Sequence, residues 1–140
     1  MRSLRGLRGQ FLLHLALFVE QAVDLCIEYR GFCMALGGNG GVNSGSNLFP
    51  ELYVNLFKAC KAKDTERILK LQKLVMKVST EIYSVDKSSV SFLKGLKAAL
   101  FTEGLITDYI CEPLQKVNNA DLETIRKNVA ELKQQIIQVL

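Results

Sequence analysis

Hydrophobic residues recur at intervals of three and four along most of the chain after residue 49, which predicts a series of amphipathic helices. One stripe predicts a helix that Asp64 caps, and the last stripe predicts a helix that begins near Asn119 or Asp121. These two stripes consist of Ile68, Leu71, Val75, Val78 and Ile82, and of Leu122, Ile125, Val129, Leu132, Ile136 and Val139. We interpret both stripes as hydrophobic-core packing, with a partner-binding surface as the second interpretation.

Two further helices are predicted from local signals at their ends. A proline suits the first turn of a helix over residues 50–62. Ser88 or Ser89 is expected to cap another helix, which Gly104 ends. The apolar face of that helix comprises Val90, Leu93, Leu96 and Leu100. Residues 107–117, which include the second proline, are expected to form an irregular connector.

Two short strands are predicted before these helices. Residues 22–31 form an apolar, β-branched and aromatic run that a glycine ends, and a second short strand is expected at residues 41–44. Two strands do not make a stable sheet by themselves. The sequence therefore predicts an α/β domain that is incomplete and mostly helical.

A glycine-rich segment lies between the predicted strands and the helices. Five of the ten glycines fall within residues 37–45, and such clusters let the backbone turn sharply and approach a ligand closely. The segment lacks the lysine–serine/threonine ending of a phosphate-binding P-loop and the spacing of a dinucleotide fingerprint. We therefore interpret it as a candidate binding site of another kind.

Charge and cysteine content exclude several function classes. The formal net charge is +4, but the lysines are spread among acidic residues without an aromatic–basic platform, so we expect no nucleic-acid partner. The four cysteines form no CxxC pair, and the single histidine lies far from them in sequence. We therefore expect no metal site, no disulfide scaffold and no cofactor, and we interpret the cysteines as reduced thiols of a cytoplasmic protein.

Residues 1–21 are treated as an atypical N-terminal segment, separate from residues 22–140. Three arginines precede the apolar run at 11–19, which is the outline of a targeting segment. A buried or amphipathic helix that continues to about Gln21 explains the same pattern. The run is too short to span a bilayer, so we expect no membrane insertion.

Three segments together resemble the class I pyruvate-dependent aldolases, the dihydrodipicolinate synthase and N-acetylneuraminate lyase family. The first reads GGVNSGSNLFPELY at 40–53, the second reads SFLKGLKAAL at 91–100 and the third reads DYICEPL at 108–114. The resemblance implies a TIM (β/α)8 barrel with extra C-terminal helices. Because such barrels need about 250 residues, residues 22–140 are expected to hold only the last two strands and the helical tail.

The resemblance also implies a chemistry. In this family a lysine amine on the sixth strand forms a Schiff base with pyruvate, and the protonated imine acts as an electron sink for making or breaking a carbon–carbon bond. Residues 1–21 do not resemble that strand and contain no lysine. Lys94 and Lys97 are expected on a surface helix of the tail, without the desolvated pocket that a catalytic lysine needs. No catalytic residue is therefore assigned in this chain.

Two substrate-binding positions follow from the resemblance. Gly31 matches a glycine at the mouth of strand seven whose backbone lies against the substrate in the sialic-acid-cleaving members. Ser44 matches the serine of strand eight, whose hydroxyl contacts the ligand in those members. A turn that merely ends the strand explains Gly31 equally well, and a hydroxyl bonded to the loop backbone explains Ser44 equally well.

Two functions are carried forward. The first is a truncated aldolase-family lyase that binds a small keto acid only in the complete fold and is inactive alone. The second is a non-enzymatic helical module whose apolar faces bind a partner or a second copy of the chain. The expected partners are accordingly the keto-acid substrate and further copies of the chain, as in a homo-oligomer.

Overall fold

The computed structural model describes residues 39–85 and 90–140, and all regular elements in this part are helical. They are a short 3₁₀ helix, Ser44–Asn47, and four α-helices, namely α1 (Pro50–Ala62), α2 (Thr65–Ile82), α3 (Ser91–Thr102) and α4 (Asn119–Val139). The predicted strand at 22–31 and the N-terminal segment 1–21 lie outside the described residues. Ser88 and Ser89 lie outside them too, but the prediction that one of them caps α3 is wrong, because the cap position is Val90, which makes no side-chain capping hydrogen bond.

The ends of the helices confirm most of the local predictions. Asp64 caps α2, since its Oδ1 accepts a hydrogen bond from the backbone N–H of Arg67 at 3.1 Å. Asn118 caps α4 in the same way, accepting from the N–H of Asp121 at 2.8 Å. Gly104 follows α3 with a φ of +71°, a left-handed conformation that suits glycine. The connector between α3 and α4 is irregular, as expected.

The prediction of a strand at residues 41–44 is wrong for the described part of the chain. Residues 41–43 carry no regular structure, and Ser44 begins the 3₁₀ helix. Asn43 does have extended backbone angles, φ −139° and ψ 146°. An extended segment becomes a strand only when a neighbouring strand completes its hydrogen-bond ladder, and no strand lies among residues 39–85 and 90–140 to do so.

Helices α2 and α4 pack antiparallel against each other. Arg67, near the start of α2, donates from Nη2 to the backbone oxygen of Leu140 at 3.1 Å. At the other end, Asn128 of α4 donates from Nδ2 to the backbone oxygen of Glu81 at 2.9 Å. Residue numbers thus rise along one helix as they fall along the other. Helix α1 packs on α2, and α3 packs on both α2 and α4.

The predicted apolar stripes form the core between these helices. Ile125, Val129, Leu132 and Ile136 of α4 are buried, and so are Leu71, Val75, Val78 and Ile82 of α2. Helix α1 adds Leu52 and Leu56, and Leu48 and Phe49 close the end next to the 3₁₀ helix. The stripes are therefore core packing, as the sequence predicts.

Helix α3 approaches the end of α2 at a glycine. A Cβ atom built on Gly95 would lie 1.8 Å from the backbone oxygen of Ile82, so the two backbones are in direct contact. The hydroxyl of Ser91 donates to the backbone oxygen of Tyr83 at 2.7 Å and fixes the start of α3 at the same place. The close backbone contact and this hydrogen bond both join the end of α2 to α3.

Candidate functional site

Polar side chains gather where the glycine-rich segment enters the helices. We call Asn43, Ser44, Gly45, Tyr53 and Tyr83 the glycine-segment cluster. The 3₁₀ helix supplies two of these residues, Asn43 is its cap, and α1 and the end of α2 supply the tyrosines. The 3₁₀ helix contacts both α1 and α3, so the cluster rests on a packed helical support.

Asn43 is the most unusual member of the cluster. It is only 8% exposed, and its Oδ1 accepts from the backbone N–H of Ser46 at 3.0 Å while its backbone oxygen accepts from the Ser46 hydroxyl at 2.8 Å. Its Nδ2 is buried and has no hydrogen-bond partner among the described residues. Because an unpaired buried amide N–H costs about 1–3 kcal/mol, this donor is suited to an acceptor from outside the described part.

The two tyrosine hydroxyls meet at Gly45. A Cβ atom on that glycine would lie 2.0 Å from Oη of Tyr53 and 2.8 Å from Oη of Tyr83. Glycine is therefore required here by the close approach of two phenol groups and not by a left-handed backbone. Tyr53 is buried, whereas Tyr83 is partly exposed and packs edge-on against Phe92 at 6.5 Å between ring centroids.

The structure describes one of the two predicted site residues. Ser44 begins the 3₁₀ helix next to Gly45, is partly exposed, and accepts on its backbone oxygen from Nδ2 of Asn47 at 3.1 Å. Gly31 lies outside the described residues. Asn43, Tyr53 and Tyr83 were not predicted as site residues, because residue type and helical spacing alone do not show that they meet at Gly45.

The chemistry available in this cluster is hydrogen bonding. Amide and phenol groups donate to carbonyl and carboxylate oxygens without changing their charge near neutral pH. Among the described residues, no group of three or more His, Cys, Asp or Glu is placed to hold a metal ion. The arrangement thus suits the orientation of a neutral or anionic oxygen ligand.

The lysines of α3 are placed differently from the sequence expectation. Lys94 and Lys97 are partly buried and line a cavity of about 100 Å³ between α3, the connector and α4. They were expected on an open helix surface. Lys70 of α2 is exposed, and its hydrogen bond to Glu66 at 2.6 Å raises its pKa.

No helix in the described part of the chain combines the length and the apolar character needed to cross a bilayer. The longest of them, α4, alternates its buried stripe with charged and amide side chains on the opposite face. Its amphipathic pattern is that of a helix packed on one side against protein.

Comparisons with known proteins agree on one family. A model of the dihydrodipicolinate synthetase family matches residues 29–132, a range that includes Gly31 and Ser44. An uncharacterized DapA-like lyase of Pyrococcus furiosus is 23% identical over 109 residues, which are 78% of this chain and 35% of that protein. Another, from Pyrococcus horikoshii, is 27% identical over 99 residues, or 71% and 32% of the two chains.

A solved structure gives the same result. The described fold is similar to dihydrodipicolinate synthase from the commensal bacterium Bacteroides thetaiotaomicron, with a TM-score of 0.71 and 41% sequence identity. The similarity covers 74% of this chain and 35% of that one. This chain thus spans about a third of the length of the relatives it matches. The helices described above correspond to part of a larger barrel protein.

Proposed function

This chain belongs to the dihydrodipicolinate synthetase family, and from that premise we propose that it is the C-terminal part of a Schiff-base, pyruvate-dependent carbon–carbon lyase. The observation that supports the proposal most directly is the order of its segments. The glycine-rich segment 40–53, the helix at 91–100 and the connector at 108–114 all lie within the range that the family model matches, and their order resembles that of the family. A (β/α)8 barrel places its site at the C-terminal ends of the strands.

In this proposal the chain supplies part of the wall of the substrate pocket. The hydroxyl of Ser44 and the backbone of Gly31 contact a small keto acid. The buried Nδ2 of Asn43, which has no acceptor among residues 39–85 and 90–140, donates either to the keto acid or to a barrel strand. Helices α1 to α4 hold this wall in place through the buried core.

The chain by itself is proposed to form no Schiff base. Imine formation needs a lysine amine in a desolvated pocket beside the keto-acid site. Lys94 and Lys97 line a cavity whose walls come from α3, the connector and α4, and none of the glycine-segment cluster lines it. The reactive lysine of the family belongs to a strand that this chain does not resemble.

Borohydride trapping tests this inactivity. The full chain is incubated with pyruvate and borohydride, and intact mass and peptide maps are recorded. We expect no stoichiometric adduct, and only the trace labelling that any exposed lysine gives. A stoichiometric pyruvate adduct on one lysine contradicts the proposal, and loss of that adduct in Lys97→Gln would assign it to Lys97, one of the lysines that line the α3 cavity.

A chimera tests the lyase assignment itself. Residues 39–140 replace the matching segment of the Bacteroides thetaiotaomicron synthase, to which the chain is 41% identical. We expect the chimera to retain lyase-type activity, and Ser44→Ala to raise its KM for the keto acid more than it lowers kcat. Ser84→Ala, at an exposed serine whose hydroxyl lies 3.5 Å from the backbone oxygen of Ser79, is the matched control. A folded but inactive chimera overturns the assignment.

Exposed apolar side chains favour self-association as a second function. Leu69 of α2 is 58% exposed and Ile137 of α4 is 73% exposed. Both lie near the hydrogen bond between Arg67 and Leu140, where the start of α2 packs beside the end of α4. Light scattering at increasing concentration tests the idea. A mass that falls to that of the monomer in Leu69→Lys or Ile137→Lys supports it, and a monomer at all concentrations contradicts it.

A further inference from the structure

A cavity between α3, the connector and the start of α4 gathers positive charge around an apolar interior. Its volume is about 100 Å³. Lys94, Lys97 and Lys116 line it, and Asp108 is the one acidic residue among its lining residues. This cavity is separate from the glycine-segment cluster and does not depend on the proposed lyase function.

The lysines reach the cavity from two directions. Lys94 and Lys97 are three residues apart on α3 and share a face with Phe101, because side chains three, four and seven positions apart lie together on a helix. Helix α3 contains no acidic residue in its twelve positions. Lys116 enters from the connector, where its Nζ lies 2.6 Å from Oδ2 of Asp108.

The rest of the wall is apolar and incompletely covered. Ala98 is buried, whereas the larger apolar side chains of the wall are only partly buried. These larger side chains are Phe101, Ile110, Val117 and Leu122. Apolar surface of this kind gains free energy when a ligand removes it from water.

We propose that this cavity binds a small monocarboxylate with a branched aliphatic body. The ion pair of Lys116 with Asp108 shows that a carboxylate fits against the Lys116 ammonium group at the edge of the cavity. A phosphate dianion fits less well, since its double charge would be repelled by Asp108 more strongly than the single charge of a monocarboxylate at the same place. A cavity of roughly 150 Å³ accepts benzene, so the smaller volume here limits the apolar body to about four carbons.

The test is a titration of the ¹⁵N-labelled full chain by NMR, at constant ionic strength, with sodium 3-methylbutanoate. The matched ligands are 3-methylbutanamide, which has the same shape without the charge, and acetate, which has the charge without the body. We expect millimolar binding of 3-methylbutanoate, with shift changes confined to residues 94–101 and 108–122. Binding of the amide and of acetate is expected to be at least about fivefold weaker.

Variants separate a specific site from general attraction to a basic protein. Lys97→Gln and Lys116→Gln each remove the charge while keeping part of the aliphatic stem, and each is expected to weaken binding of 3-methylbutanoate about fivefold. Asp108→Asn removes the carboxylate that competes for Lys116 and is expected to strengthen binding about threefold. Lys127→Gln, on the exposed face of α4, is the charge-matched control and should change nothing.

Each outcome decides the proposal. Tighter binding in Asp108→Asn together with weaker binding in the two cavity lysine variants supports it, because a purely structural role predicts no gain from losing the Lys116 ion pair. Equal binding of the amide and the carboxylate overturns it. The absence of any binding, or an effect of Lys127→Gln as large as that of Lys97→Gln, overturns it as well.

Discussion

Helix propensity and packing make opposite predictions for the change in unfolding free energy when Gly95 of α3 is replaced by alanine. Helix propensity alone predicts that alanine stabilises the interior of a helix by about 1 kcal/mol relative to glycine. Packing predicts the reverse, because the new Cβ would lie 1.8 Å from the backbone oxygen of Ile82 and 2.9 Å from its carbonyl carbon. The sign of the change in unfolding free energy therefore reports the close contact between α3 and α2.

The magnitude follows from which atoms must move. Cβ atoms are essentially never found closer than 3.0 Å to such neighbours, so α3 and the end of α2 must separate by more than about 1 Å. The obstructing atoms belong to backbone and not to a flexible side chain, which places the cost near the top of the 1–3 kcal/mol range for overpacking. After the gain of about 1 kcal/mol from propensity, a net loss of about 2 kcal/mol is expected.

Urea unfolding followed by far-UV circular dichroism measures this change. With a slope of about 2 kcal/mol per molar urea, the midpoint of Gly95→Ala should fall by about 1 M. Gly40→Ala is the control, since a Cβ there meets nothing within 4 Å and the midpoint should stay unchanged. A Gly95→Ala protein as stable as the parent, or more stable, would refute the close packing of α3 on α2.

Three further changes test other parts of the fold by the same assay. Asp64→Ala removes the cap of α2 and should lower the unfolding free energy by about 1 kcal/mol; no loss would mean that the cap is not formed. Leu132→Ala, at a fully buried site, should lower the unfolding free energy by about 2–5 kcal/mol. Leu69→Ala, at an exposed site, should lower it by less than about 0.5 kcal/mol. Equal losses would contradict the burial of Leu132 and the exposure of Leu69. Gly45→Ala should lower the unfolding free energy by about 2 kcal/mol. The loss should be smaller in a Tyr53→Phe background, because the phenol oxygen that would lie 2.0 Å from the new Cβ is then gone. Additive effects of the two substitutions would mean that Tyr53 does not contact Gly45.

The described helices were predictable because short-range chemistry sets their ends. A proline at the start of α1, the carboxylate of Asp64 and the left-handed Gly104 each act within about one helical turn. The periodic stripes fixed which faces are buried, since a residue's position on a helix face depends only on spacing. The family was also recognisable from sequence, because three separated segments keep their order and spacing.

The strand at 41–44 was predicted wrongly for a reason of the opposite kind. Extended backbone angles are local, and Asn43 has them, but a ladder needs a second strand, which is remote in sequence. The locations of Gly31 and of the N-terminal segment stay predictions, as do the domain boundary at residue 22 and a cytoplasmic location. Ser44 belongs to the glycine-segment cluster as the first residue of the 3₁₀ helix, and its contact with a keto acid remains a proposal.

The sequence by itself determined the helices, their buried faces and the family, because each follows from residues close together along the chain or from their order. Only the tertiary structure decided that two tyrosine hydroxyls lie close to Gly45 and that Gly95 contacts the backbone at the end of α2. It also decided that lysines of α3 and of the connector share one cavity. Such contacts depend on how the helices are placed relative to one another. Many buried contacts between different helices determine that placement together, so no single segment encodes it.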